Sequence, residues 1–143
     1  MSRPDERTIL DRACTHPNDV QARIDAAYHC DAHRTEEEAV VHYDAAWKLG
    51  IPTEQRRGFM LGYGSTLKNV GRFAESESIL RQAIEENSKD RALPVFLALT
   101  LHAAGRGDHA VAQLLDVLLD LKDRDIDSYE RALAYYADEL RGK

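Results

Sequence analysis

The stretch TLKNVGR runs from Thr66 to Arg72, and a variant of it, TLHAAGR, runs from Thr100 to Arg106, thirty-four residues further on. A phrase that opens on Thr-Leu and closes on Gly-Arg, written twice at that distance, marks a repeated supersecondary unit. Alignment on Gly71 and Gly105 brings Gly64 onto Ala98, Leu67 onto Leu101, Ser76 onto Ala110 and Leu80 onto Leu114. Small residues match small ones because two helices approach closely only where side chains are short. The leucines fill the adjoining space. The period is that of one helix–turn–helix unit of a solenoid, in which each unit buries its apolar face against the next.

Outward from this pair, the chain has helical apolar spacing almost everywhere and lacks the alternation of strands. Breakers cut it into short pieces: HPND near Pro17, DAHRT near Arg34, GIPT near Pro52, VGR at Gly71, NSKD near Ser88, AGRGD at Gly105 and KDRDID near Asp125. Thr35 with Glu38 and Asn18 with Gln21 have the spacing of capping boxes, and Thr53 after Pro52 is placed to cap the next helix. Pro94 fits the first turn of a helix, where its missing N–H is harmless. About eight helices are expected, one of them near residues 5–15, and the fold class is all-α.

Composition bounds the function. A chain of 143 residues supports one domain with a substantial core. With 25 acidic against 19 basic residues and a net charge of -6, a broad electrostatic grip on nucleic acid or anionic lipid is not expected. No apolar run approaches the length of a membrane span, and the opening MSRPDERTILDR is charged where a secretion signal would be apolar. Cys14 and Cys30 are too few for a disulfide framework. A cytoplasmic protein is the expectation.

The residues LGYGSTLKNVGRFAESESILRQAI, with Gly64, Leu67, Gly71, Phe73, Glu75, Ser76, Leu80 and Ala83, resemble the tetratricopeptide repeat family. The following unit keeps Ala98, Leu101, Gly105, Ala110 and Leu114, but has Gly107 where an aromatic is usual and Val117 for the later alanine. An earlier unit lies on Ala27, Cys30, Ala39, Tyr43 and Ala46, with Arg34 in place of the turn glycine. The resemblance implies a right-handed α-solenoid over residues 1–143, with repeats at 20–52, 57–90 and 91–124 and a closing helix at 127–141 carrying Ala132 and Tyr135. The run VFLALTLHAAGR is also similar to small stand-alone bacterial repeat proteins that dimerise.

The resemblance further implies that first helices line a concave face. It places Ile24, Tyr28 and Asp31 there from the first unit, Leu61, Ser65, Lys68 and Asn69 from the second, and Val95, Leu99 and His102 from the third. Tyr129, Leu133 and Tyr136 join them from the closing helix. Ile24 and Tyr28 stand where a clamp for acidic C-terminal tails would need lysine and asparagine, so that ligand class is rejected. The expected partner is a protein or peptide with an apolar face, or a second copy of the chain. Tyr28, Leu61, Lys68, Leu99, His102 and Tyr136 are the candidate binding residues, with Lys68 and His102 supplying polar register. In HAVAQLLDVLLDL, His109–Leu121, apolar residues occupy nearly every side. Such a helix is buried on more than one face, either by the closing helix or by a two-fold contact.

Chemistry is sparse. In HCDAH, His29 and His33 share a helical face with Cys30 and Asp31 between them, and zinc accepts all these ligand types. A metal- or redox-responsive protein built on His29, Cys30 and His33 is therefore the alternative reading. Against it, Cys30 stands where a metalloprotease HExxH needs glutamate and where the repeat needs a packed residue. Cys14 and His16 are too local for a nucleophile–base pair, the acidic runs are solvated helix starts, Arg56 and Arg57 make too small a basic patch, and no phosphate-binding loop is present. No catalytic residues, cofactor, nucleic acid or membrane partner is expected.

Overall fold

The structure, a computed structural model, describes residues 5–143; the first four residues of the charged opening stretch lie outside them. The described residues form helices and no strand: α1 Glu6–Thr15, α2 Val20–His33, α3 Glu36–Leu49, α4 Thr53–Asn69, α5 Phe73–Glu86, α6 Ala92–Ala103, α7 Gly107–Asp120, α8 Arg124–Asp127 and α9 Glu130–Leu140. The one element beyond the expected set is α8, a single turn between α7 and α9. The chain divides into two compact units at the turn of the first quoted stretch, the first ending at Gly71 and the second beginning at Arg72.

In the first unit, α2 packs against α1, α3 and α4. Its small residues Ala22, Ala26 and Ala27 are buried, as are Ala39 and Ala46 of α3, the helix it packs against most, and such short side chains let helices approach closely. Aromatic side chains fill what remains. Tyr43 and Tyr63 stack at 5.5 Å, Trp47 and Phe59 at 6.3 Å, and Tyr43 meets Phe59 edge-on at 5.2 Å. Burying side chains of this size stabilises by about 1.5–3 kcal/mol each. The caps differ from expectation in detail. Thr35 accepts from the Glu38 N–H as half a capping box, while the Glu38 carboxylate turns to Arg34 instead of closing it. Asp19, not Asn18, caps α2 by accepting from Ala22, because its carboxylate sits one residue nearer the first helical turn. Thr53 is the first residue of α4 rather than its cap; Pro52 takes the cap position, its ψ of 139° still outside the helix, and no side chain caps α4.

In the second unit, α6 packs between α5 and α7, and α9 and α8 pack on α7. Leu80, Ala83, Leu93, Leu97, Ala98, Leu101 and Ala112 form its buried core. Pro94 lies in the first turn of α6, as expected, and Asp90 caps that turn by accepting from the N–H groups of Ala92 and Leu93. The repeated Gly-Arg ending has a stereochemical cause. Gly105 takes φ 80° while its N–H closes on His102 and the Arg106 N–H on Leu101 at 2.8 Å, and Gly71 takes φ 84° at the matching place. A Cβ is disfavoured in that left-handed conformation.

Candidate functional site

The repeated Thr-Leu of the two stretches has a second explanation besides packing. Leu67 and Leu101 are buried, and so are the threonines before them. Thr66 donates to Asp31 Oδ1 at 3.4 Å, and Thr100 shares a hydrogen bond of 2.8 Å with Ser76. Asp31 also accepts from the Tyr43 hydroxyl at 3.0 Å, so its carboxylate is engaged as an acceptor between α2, α3 and α4. Burial and the Asp31 charge push the Tyr43 hydroxyl far above its ordinary pKa. Tyr63 donates to Asp44 in a parallel arrangement. Gln55 donates to Gln21 at 2.8 Å and Asn69 to Glu36 at 2.8 Å. Gln21 and Gln55 lie thirty-four residues apart, Glu36 and Asn69 thirty-three, and Asp31 and Thr66 thirty-five. Polar pairs near one repeat period are thus a readable signal that alignment of small and apolar residues alone overlooks.

Two residues expected to line a binding face have other work. Ile24 is fully buried, because α2 is covered by α1, α3 and α4 and Ile24 points into that seam. Asp31 is held by Tyr43 and Thr66 as described. Of the six candidate binding residues, Tyr28, Leu61 and Lys68 belong to the first unit and Leu99, His102 and Tyr136 to the second. Tyr28, Leu99 and Tyr136 are 40%, 46% and 55% exposed. Tyr28 rests edge-on against Tyr43 at 6.2 Å, and burial together with the Asp25 charge raises its hydroxyl pKa. Leu61 and Lys68 are half-buried on α4, and His102 is exposed on α6. On α9, Tyr136 meets Tyr135 edge-on at 5.6 Å, and Tyr129 is exposed at its start.

The HCDAH stretch resolves into packing and polar contacts. The His29 and His33 rings lie 5.0 Å apart on one face of α2, while Cys30, about 100° further round the helix, is buried in the core. Its thiol is pushed up mainly by burial, which makes it a poor source of thiolate. His29 Nε2 lies 3.4 Å from Glu6, whose carboxylate is held below its usual range by Arg34 first and His29 second. Among the described residues, no three His, Cys, Asp or Glu side chains are gathered as metal ligands. The alternative cluster of His29, Cys30 and His33 is corrected on this point: helical geometry separates the cysteine from the imidazoles.

The apolar helix α7 is packed by α6 on one side and by α9 on another. The closing helix does not cover it fully. Val111, Leu114, Leu118 and Leu121 remain exposed along one stripe. No helix among the described residues is long and apolar enough to cross a membrane.

A family model described as Tetratrico peptide repeat matches residues 20–140. No curated protein matches the chain.

Proposed function

The chain belongs to the tetratricopeptide repeat family, its helices are those of an α-solenoid of helical repeats, and on that premise we propose that it is a non-catalytic protein-recognition domain. Members of this family serve protein–protein interaction. The observation that carries the reading here is the exposure of large apolar side chains on helices whose other faces are packed: Tyr28 on α2, Leu99 on α6 and Tyr136 on α9. Water disfavours such side chains, and their removal from it on association is a source of binding free energy. Leu61, Lys68 and His102 complete the proposed contact residues, the latter two by directing polar groups of the partner. The repeats at 20–52, 57–90 and 91–124 with the closing helix serve this one role in the cytoplasm, and the chain also pairs with a second copy of itself.

Substitution of Tyr28 by alanine together with Leu99 by glutamate tests the reading. Association with a protein partner is lost while far-UV helicity stays unchanged. Loss of helicity would instead assign both side chains to the core and remove them from the binding surface.

A further inference from the structure

Asp31 differs from other carboxylates of the first unit in what holds it. Glu6 and Glu38 are taken by Arg34, and Asp19 by Arg12. Asp31 is exposed in the last turn of α2, and its two oxygens accept one hydrogen bond each, Oδ2 from the Tyr43 hydroxyl of α3 and Oδ1 from the Thr66 hydroxyl of α4. Both donors are buried and neutral. They orient the carboxylate without cancelling its charge, and among the described residues no lysine or arginine is paired with it. Each oxygen keeps a lone pair for a further donor.

An aromatic ring stands one turn before it. The Gln21–Gln55 and Asp31–Thr66 bonds, at offsets of thirty-four and thirty-five residues, set α2 and α4 parallel and level. At that offset Tyr28 is level with Gly62, which has no side chain to lay over it. Tyr28 is 40% exposed, and its edge-on contact with Tyr43 at 6.2 Å fixes the ring. Asp25, a turn earlier again, lies close enough for its charge to act on the Tyr28 hydroxyl, but it is already engaged by Gln21 at 2.9 Å and approached by Arg12 at 3.7 Å. Tyr28 and Asp31 are three residues apart and so share one side of α2, the carboxylate open to a donor and the ring open to a cation.

We infer that Tyr28 and Asp31 form a receptor for one basic side chain of the protein partner, a lysine or an arginine, with its aliphatic stem on the Tyr28 ring and its charged end at the Asp31 carboxylate. The inference rests on the recognition function proposed above and names the chemistry of one contact. Half-buried Leu61 and Ser65 on α4 border the same face, so apolar residues beside the basic one complete the fit. The chain's net charge of -6 favours the approach of such a partner. An ion pair open to water adds little. Covered by the partner, an anion already held by Tyr43 and Thr66 needs no reordering, and its attraction for the cation grows as water leaves.

Selection of short random peptides displayed on phage, with the whole chain immobilised, tests the receptor. Peptides enriched by wild type carry lysine or arginine at one fixed position beside apolar residues. Replacing that residue by glutamine in the peptide weakens binding at least about tenfold by fluorescence anisotropy. This change is made in the probe, so its result stands whether or not a protein variant folds. Asp31→Asn, with helicity retained, binds the basic peptide and its glutamine form alike. An equal loss on wild type and on Asp31→Asn places the cation elsewhere and overturns the assignment to Asp31. Enriched peptides with no basic position, or with one that glutamine replaces without loss, overturn the receptor and leave recognition standing. A wild type that enriches no peptide overturns both.

Discussion

At Gly62, a Cβ would stand 2.6 Å from the Tyr43 hydroxyl oxygen, whereas at Gly58, one helical turn earlier on α4, it would meet nothing within 4 Å. The Tyr43 ring is buried among Phe59 and Tyr63, and its hydroxyl is bonded to Asp31, so it has little room to retreat. Gly62→Ala is therefore expected to destabilise by about 1–3 kcal/mol through overpacking. Gly58→Ala is expected to stabilise by about 0.5–1 kcal/mol, the ordinary helical preference for alanine. Urea unfolding of the two variants beside wild type checks the pair, and equal effects would contradict the close approach of α4 to Tyr43. His42 offers a second residue-scale test. Its Nδ1 lies 3.1 Å from Arg23 Nη1, and burial first, then the Arg23 charge, hold its pKa below the ordinary 6.5. The unfolded chain takes up this proton at a higher pH than the folded chain. The stability tied to neutral His42 is thus present above pH 6.5 and is lost as pH falls through the lower folded value. His42→Asn should flatten the fall in urea midpoint between pH 7 and 5.5, measured against wild type.

The helices themselves were legible from sequence because their limits are local. Gly71 and Gly105 end helices by a conformation open to glycine, and Pro94 sits where only a first turn admits it. The caps were half legible. Asn18 and Asp19 are both good capping residues one place apart, and the choice between them depends on which side chain reaches the Ala22 N–H. What each face meets was harder to read, since Ile24, Tyr28 and Asp31 share one helix yet are buried, exposed and hydrogen-bonded in turn. Only packing by α1, α3 and α4 separates them. The HCDAH stretch was read more fully: spacing put the imidazoles together, and the repeat register already set Cys30 at a packed position, where the structure buries it. At this scale the buried Ser76–Thr100 hydrogen bond ties α5 to α6. Ser76→Ala alone is expected to cost about 1 kcal/mol, because it removes a partner of a buried hydroxyl. Adding Thr100→Val should cost less than the sum of the two single changes. A thermodynamic cycle in urea that adds without coupling would deny the bond a role in stability.

For the molecule as a whole, repeat architecture and function stand at different distances from the sequence. Membership of the tetratricopeptide repeat family rests on a match spread over residues 20–140. The proposed recognition surface depends instead on side chains that packing does not use; Tyr28, Leu99 and Tyr136, placed on a lining face by the repeat resemblance, are exposed. Under that proposal, stability and binding use different faces of the same helices. That is why Leu101 can be buried in the core of the second unit while Leu99, two residues earlier, stands in water.

Site-specific photo-crosslinking tests this account most directly. A benzophenone side chain placed at Leu99, and separately at Tyr136, is irradiated in a lysate of the native cells and compared with one at Glu85, an exposed residue of α5 outside the proposed surface. The account predicts a protein adduct of discrete mass at Leu99 and Tyr136 and none at Glu85. Adduct formation at Glu85 equal to that at the other two positions, or none at any of the three, would contradict it.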